Sequence, residues 1–423
     1  MNRTIDLKYG KGKVSFDIAQ ERLIGIIEPN PQPALHDVNK SLSQAMENCY
    51  GPRFEDVIRN GNRVLILTVD ITRPSPRALV NIIERRLKDL GAKAEVIVGL
   101  GMHRPMTSKE LEDHIGGTNV LQSDANGPMW SGGVTSFGTP IEVDKRVMDY
   151  DARIAIGFVE PTYLLGFTGG RKIIMPGVAS ERAIAHNHFL LLSPGRKLGV
   201  LDGNALSEDA IEFARRVGLH WIADVALNPD DTYSGIFCGE MEKANRAACK
   251  MSAKTYQYRL SKEKQKADIV VASAGGYPYD FDLCQTKKSI VPAMECVRPG
   301  GTIILVGECQ DGWGVEDQSS RKSLSERKPE DILKDLYERF QKQDHSAKYG
   351  AVPSSSSYLF SKAVAELDCQ LIAVTGINDD LKGTFIEVAP SIGRAMAMAE
   401  SQLGREATVA VIPDGRRIIP VFD

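Results

Sequence analysis

Short apolar runs and amphipathic stretches alternate along the chain from Asn62, and their order predicts the fold. Val64-Leu65-Ile66-Leu67-Thr68-Val69 has the pattern of a buried strand, and Leu79, Ile82, Ile83, Leu87 and Leu90 follow at helical spacing until Gly91 stops the helix. A second apolar run, Ala94-Glu95-Val96-Ile97-Val98, enters Gly99-Leu100-Gly101-Met102-His103-Arg104-Pro105, after which Thr107 and Glu110 form a capping box for a further helix. Strand, helix and strand in this order predict a parallel pair joined by a crossover. A third strand, Arg153 to Val159, runs into Glu160-Pro161-Thr162-Tyr163-Leu164-Leu165-Gly166-Phe167-Thr168-Gly169-Gly170-Arg171-Lys172-Ile173-Ile174-Met175-Pro176-Gly177, the most unusual segment of the chain. A helix is expected from Ser180 to Leu190.

A polar, Lys-rich stretch between Lys250 and Lys266 interrupts the pattern, which restarts with a strand at Ala267–Ser273. The expected succession is then the Gly275-Gly276 turn, a helix from about Leu283 to Val297, a strand at Thr302–Gly307 and a polar, Ser-rich loop over 309–330. A helix near Pro329 to Lys342, a strand at Leu371–Thr375, a helix around Ser391 to Glu400 and a hairpin turning at Asp414-Gly415 complete it. At 423 residues the chain exceeds the roughly 250 to 300 at which one hydrophobic core stops growing. The class is therefore α/β: two α/β domains with mainly parallel sheets and a cleft between them. The first is expected over residues 1–266 and the second over 267–423, with the closing stretch packing back on the first.

Composition narrows the function. With 42% hydrophobic, 25% charged and 7% aromatic residues, the chain has the make-up of an ordinary globular protein with an aliphatic core. Its 52 basic and 55 acidic residues leave a net charge of -3, which disfavours nucleic acid or an anionic membrane as partner. The apolar runs are too short to cross a bilayer, and Met1-Asn2-Arg3-Thr4-Ile5-Asp6 lacks a signal-peptide pattern, so a cytoplasmic location is expected. Seven scattered cysteines without a Cys-x-x-Cys pair read as small buried hydrophobes.

In parallel sheets ligands sit beyond the carboxyl ends of the strands, where Asp70-x-Thr72-Arg73 and His103-Arg104 both fall. Asp70 is suited to orient His103 as a general base, and Arg73 offers a fork for a carboxylate or phosphate. Gly166-x-x-Gly169-Gly170-Arg171-Lys172 invites a phosphate-loop reading, yet the Walker pattern needs adjacent Gly-Lys followed by Ser or Thr, and here Arg171 intervenes and Ile173 follows. Lys172, beside a cation, suits a covalent anchor of lowered pKa; a solvated lysine on a glycine turn is the alternative. Gln285 and Lys288 share a helix face and could meet a carboxylate, while Lys287 faces solvent. Of His186 and His188, two apart on one helix, at most one points into a site on that face.

Taken together, Asp70-x-Thr72-Arg73, Gly101-Met102-His103-Arg104-Pro105, Gly166-Phe167-Thr168-Gly169-Gly170-Arg171-Lys172 with Met175-Pro176-Gly177, Asn187-His188, and Gly275-Gly276-x-Pro278 with Gln285-x-x-Lys288 resemble the nickel-dependent lactate racemase family. The resemblance implies a nickel pincer nucleotide, a pyridinium-3-thioamide-5-thiocarboxylic acid mononucleotide with nickel. Lys172 would carry it as a covalent thioamide and His188 would be the protein's nickel ligand, with Thr72, Gly169, Gly170 and Arg171 also cofactor-binding. It further implies cofactor-synthesis proteins as partners and a small hydroxy-acid substrate. His103, oriented by Asp70, would take the hydroxyl proton while the Cα hydride moves to the pincer ring, and Arg73, Gln285 and Lys288 would hold polar substituents. His186 is then structural.

One position departs from that family. Lactate racemases carry a second catalytic histidine where this chain has Thr162, and a threonine hydroxyl is far too weakly acidic to act as a base at neutral pH. Together with Cys284, where lactate racemases tend to carry an aromatic residue, this points to an α-hydroxy acid larger or more polar than lactate. A one-sided 2-hydroxyacid oxidoreductase, or a catalytically inactive cofactor-binding homologue, is the alternative.

Overall fold

Val64, Leu65, Ile66 and Leu67 are all buried, as are all eight residues of the strand Ala152–Val159, because the strands carrying them are central in a sheet covered on both faces. The sheet has six strands in the order Tyr233–Gly239, Trp221–Leu227, Ala152–Val159, Arg63–Val69, Lys93–Gly99 and Leu121–Gln122. Every neighbouring pair is parallel except the one formed by the Tyr233–Gly239 edge. The helix Arg77–Asp89 presents Leu79, Val80, Ile83 and Leu87 to one face, at the spacing expected from the sequence. Thr107 and Glu110 do form the capping box at the helix Ser108–His114. This computed structural model describes residues 2–117, 120–194, 197–260, 266–314, 318–344 and 353–422; His345 lies outside them.

A second sheet has the order Glu387–Val388, Gln370–Val374, Val297–Val306, Ala267–Ser273, Val409–Ile412 and Leu23–Ile26, and it is parallel throughout. The antiparallel hairpin Asn2–Tyr9 and Gly12–Ala19 buries Ile5, Leu7, Phe16 and Ile18 in the same core as Ile269, Val271 and Val411.

These pairings correct the expected domains. The chain divides into Pro31–Thr255 and a unit made of Met1–Asn30 with Tyr256–Asp423. Residues 1–30 thus leave the first domain, because Leu23–Ile26 completes the second sheet beside Val409–Ile412. The closing stretch is not a hairpin; its end does reach back to residues expected in the first domain, Gln257–Leu260, but these belong to the same unit as the closing stretch itself. Val409–Ile412 pairs with Ala267–Ser273, and Ile419–Phe422 pairs in parallel with Gln257–Leu260. Asp414-Gly415 does mark a turn, but each flanking run finds its partner far along the chain.

Two further expectations give way. The stretch 309–330, read as a loop, contains the helix Gln318–Glu326. The helix expected from Leu283 to Val297 is broken into Leu283–Thr286, a tight turn at Lys287–Ser289, and Ile290–Cys296. Pro292 accounts for the break: it has no N–H to donate to the carbonyl four residues back, and its ring crowds that carbonyl. All seven cysteines are free and all but Cys49 are buried. No described helix is long and apolar enough to cross a membrane.

Candidate active site

Asp70 lies just beyond the strand Arg63–Val69 and His103 just beyond Lys93–Gly99, so parallel pairing of these strands brings the two together. His103 Nδ1 and Asp70 Oδ2 share a hydrogen bond of 2.5 Å. The second carboxylate oxygen, Oδ1, accepts from the Thr72 backbone N–H at 3.1 Å and the Thr72 hydroxyl at 2.5 Å. Burial by itself raises the Asp70 carboxyl, but His103, Thr72 and Arg73 outweigh it and hold the group well below the usual carboxylate range. Asp70 is therefore a fixed anion. With 40% of its side chain exposed, His103 remains open to a reactant.

Thr72, expected among the cofactor-binding groups, thus uses its hydroxyl to hold Asp70. Arg73 is engaged as well: its Nε lies 3.3 Å from Glu160 Oε2, and its Nη1 donates to the Thr72 carbonyl at 2.7 Å. Glu160 is 2% exposed and sits at the carboxyl end of the third strand. The sequence reading missed it, although the strand-end rule that selects Asp70 selects Glu160 equally well.

The glycine segment joins this corner through the backbone. The Gly101 N–H donates to the Gly177 carbonyl at 2.8 Å, so the Met175-Pro176-Gly177 end of the segment packs on the turn that leads to His103. Glycine at 99 eases this approach, since a Cβ there would lie 3.1 Å from the Gly177 backbone, tighter than most side-chain contacts. Thr162 pairs with Gly166 in a two-residue ladder, and Tyr163 is buried.

An anion-cradle reading of Gly169-Gly170-Arg171 is not supported by the contacts. The Gly170 N–H donates to Asp224 Oδ1 at 3.0 Å. Arg171 is buried, donating to Asn245 Oδ1 at 2.6 Å and to the carbonyls of Leu165 and Phe167 at 2.8 and 3.2 Å. All three residues are turned into the protein. Lys172 is only partly buried.

Ser180 caps the helix Glu181–Phe189, which carries His186 and His188. His188 is buried. Its neighbour Asn187 donates to Asp209 Oδ2 at 2.7 Å, and Asp209 also accepts from the hydroxyls of Thr135 and Thr139 at 2.5 and 2.8 Å. His186 Nδ1 lies 2.9 Å from the Thr139 hydroxyl, which suits a structural role. The sequence reading missed Asp209, Asp224 and Asn245. Asp224 did leave a signal: it is the one charged residue in Trp221-Ile222-Ala223-Asp224-Val225-Ala226-Leu227, a strand otherwise wholly apolar.

In the other unit, Asp282 caps the Leu283–Thr286 helix by accepting from the Gln285 N–H at 2.6 Å. Lys288 Nζ donates to Gln285 Oε1, so these two side chains do act together as their spacing predicts. Lys287, expected in solvent, is buried and its Nζ lies 3.3 Å from Cys284 Sγ. The tight turn at Lys287–Ser289 breaks the regular helix on which the solvent-facing assignment rested.

The chain is similar to known proteins along most of its length. The family model for the lactate racemase N-terminal domain matches residues 9–199, and that for the lactate racemase C-terminal domain matches residues 262–420. The lactate racemase of Thermoanaerobacterium thermosaccharolyticum is 29% identical over 432 residues, covering 98% of each chain. That of Lactiplantibacillus plantarum is 28% identical over 433 residues, covering 98% of this chain and 99% of its own. The structure of the lactate racemase apoprotein from T. thermosaccharolyticum aligns with a TM-score of 0.86 at 27% identity, over 99% of this chain and 100% of that one. A Thermotoga maritima crystal structure aligns with a TM-score of 0.65 at 16% identity over 91% of this chain, a likeness of fold alone. With both domain models matched in order along most of its length, the chain belongs to the lactate racemase family.

Proposed function

We propose that this protein racemises or epimerises an α-hydroxy acid larger or more polar than lactate, with a nickel pincer nucleotide tethered to Lys172. The observation that carries the reading is the 2.5 Å pairing of His103 with the ionised Asp70, on a turn bonded directly to the segment that bears Lys172. The residues fit such a cofactor. Lys172 offers an amine that is not fully buried, and His188 an imidazole, a donor suited to nickel(II).

When bound, that group supplies a hydride acceptor and donor. The chain's own residues do the rest. Asp70 fixes the His103 tautomer, leaving Nε2 to take the substrate's hydroxyl proton and later return it. Arg73, balanced by Glu160, presents its remaining N–H groups to polar substituents of the substrate, and Gln285 with Lys288 is assigned to the same task. Thr162 has no basic group, so proton transfer on the second face falls to Tyr163, to a water, or to a hydroxyl of the substrate itself.

Intact-mass analysis and nickel quantification test the reading, on protein co-expressed with the cofactor-synthesis proteins and compared with Lys172→Ala. A mass adduct lost in the variant, with about one nickel per wild-type chain, is expected; an unmodified wild-type chain from cells that charge a known lactate racemase would sink it. Thr162 favours one alternative, a one-sided hydroxy-acid oxidoreductase. Chiral chromatography started from each enantiomer separates the two, since a racemase approaches the same mixture from both sides and an oxidoreductase accumulates a keto acid from one.

A further inference from the structure

Between Tyr163 and Met175 every side chain is buried except that of Lys172. The cause lies beneath the turn, in residues distant in sequence. Asp224, in the strand Trp221–Leu227, is fully buried and accepts twice, from the Gly170 N–H at 3.0 Å and from Asn245 Nδ2 at 2.6 Å. Asn245, on the helix Met241–Tyr256, also donates to the Thr168 carbonyl at 3.1 Å and accepts from Arg171 Nη1 at 2.6 Å. Arg171 reaches back to the carbonyls of Leu165 and Phe167. A single relay, carboxylate to amide to guanidinium, therefore fastens residues 165, 167, 168, 170 and 171.

The glycines are the counterpart of this relay. A Cβ on Gly169, whose φ is +78, would lie 2.7 Å from Asp224 Oδ2, and one on Gly170, φ +48, would lie 3.0 Å from the Asn245 Cβ. The backbone thus sits directly on the Asp224 and Asn245 side chains, and the Lys172 N–H closes the turn on the Gly169 carbonyl at 2.9 Å. With its neighbours held inward on both sides, Lys172 is the one side chain from Tyr163 to Met175 that is not buried.

We propose that Asp224, acting through Asn245 and Arg171, is a positioning residue that fixes the Gly166–Ile173 turn and thereby presents the Lys172 amine for cofactor attachment. This rests on the assignment of Lys172 as the anchor. Only an aspartate serves at 224, because both of its carboxylate oxygens accept. In Asp224→Asn one acceptor becomes a donor, and in one amide orientation it faces the donor of Asn245, while in the other it faces the Gly170 N–H.

Hydrogen exchange followed by mass spectrometry on the protein as isolated, without cofactor, reads the turn directly. Asp224→Asn is expected to speed exchange in the 163–175 peptide roughly tenfold, the effect of losing one charge-assisted hydrogen bond, while the Arg63–Val69 strand keeps its protection. Asn245→Ala should do the same, and it covers the case in which Asp224→Asn does not fold. The double variant Asp224→Asn with Asn245→Asp restores a donor-to-carboxylate pair and should recover part of the protection. In co-expressed protein the two single variants should carry a smaller fraction of the Lys172 adduct.

Unchanged exchange in 163–175 for a folded single variant overturns the proposal, as does a double variant that recovers no protection. A wild-type chain that takes up no adduct refutes the anchor assignment instead, and the exchange data then still decide whether Asp224 holds the turn.

Discussion

At the Asp70–His103 corner a buried carboxylate is paired with a histidine that reaches the surface, whereas beneath the Gly166–Gly177 segment the charged groups are wholly inside. Asp70 stays ionised because His103, Thr72 and Arg73 surround it, and its histidine partner is 40% exposed. Asp224, fully buried, is pushed up to about 6 by burial, against which Asn245, the Gly170 N–H and Arg171 pull only part of the way. Burial likewise pushes Arg171 down. On the proposed reading the first region exchanges protons with a substrate and the second holds a backbone still. Catalytic side chains tolerate exposure because their partners are one strand away; positioning groups need burial, where hydrogen bonds are stronger and competing water is excluded.

If that division is right, His103→Ala gives the largest loss, roughly 10² to 10⁴-fold in kcat/KM, the usual range for a general base, with the Lys172 adduct intact by mass. A variant that lost adduct and activity together would erase the distinction between the regions. Asp70→Asn keeps the shape but removes the charge that orients His103, and roughly a 10 to 100-fold loss is expected, as for a hydrogen bond to a charged group. Its pH–rate profile should shift with it, and a profile superimposable on that of the wild type would remove Asp70 from the proton path.

The smallest effect is on stability, and it has opposite signs in the two regions. The Asp70 carboxyl lies below its ordinary value of 3.8 in the fold, so its contribution is complete above about pH 4 and is lost as pH falls further. The Asp224 carboxyl lies above 3.8, so its buried charge penalises the fold at pH 7. Protonation as pH falls from about 6 toward 4 relieves a penalty on the order of 3 kcal/mol. Acidification over that range should therefore move the wild-type melting temperature in the wild type's favour by a few degrees relative to Asp224→Asn. The gap to Asp70→Asn should stay flat until about pH 4. A gap to Asp224→Asn that is constant with pH would show that the buried carboxyl does not titrate as its surroundings require.

Much of the corner was legible from sequence, because its logic is local. Apolar runs of strand length end in Asp70 and His103, and parallel pairing of consecutive strands makes those ends neighbours. Glu160 follows the same logic. The Asp224–Asn245–Arg171 relay was not legible as a contact, since its members come from a strand, a helix and a turn that meet only in the folded sheet. Arg171, Gly169 and Gly170 looked like anion-binding groups for the same reason: a motif lists which polar groups are present and is silent on which are already occupied.

The alternation of apolar runs and amphipathic helices determined the α/β class and the parallel strand order around Asp70 and His103, because side-chain period and strand-end position are properties of the chain itself. Tertiary structure alone decided that residues 1–30 join the second sheet, that the closing strands pair away from each other, and that Asp224 lies beneath the glycines. Those outcomes depend on which distant edge leaves its N–H and C=O groups unpaired and which buried acceptor needs a donor, and both are fixed only when the whole sheet is assembled.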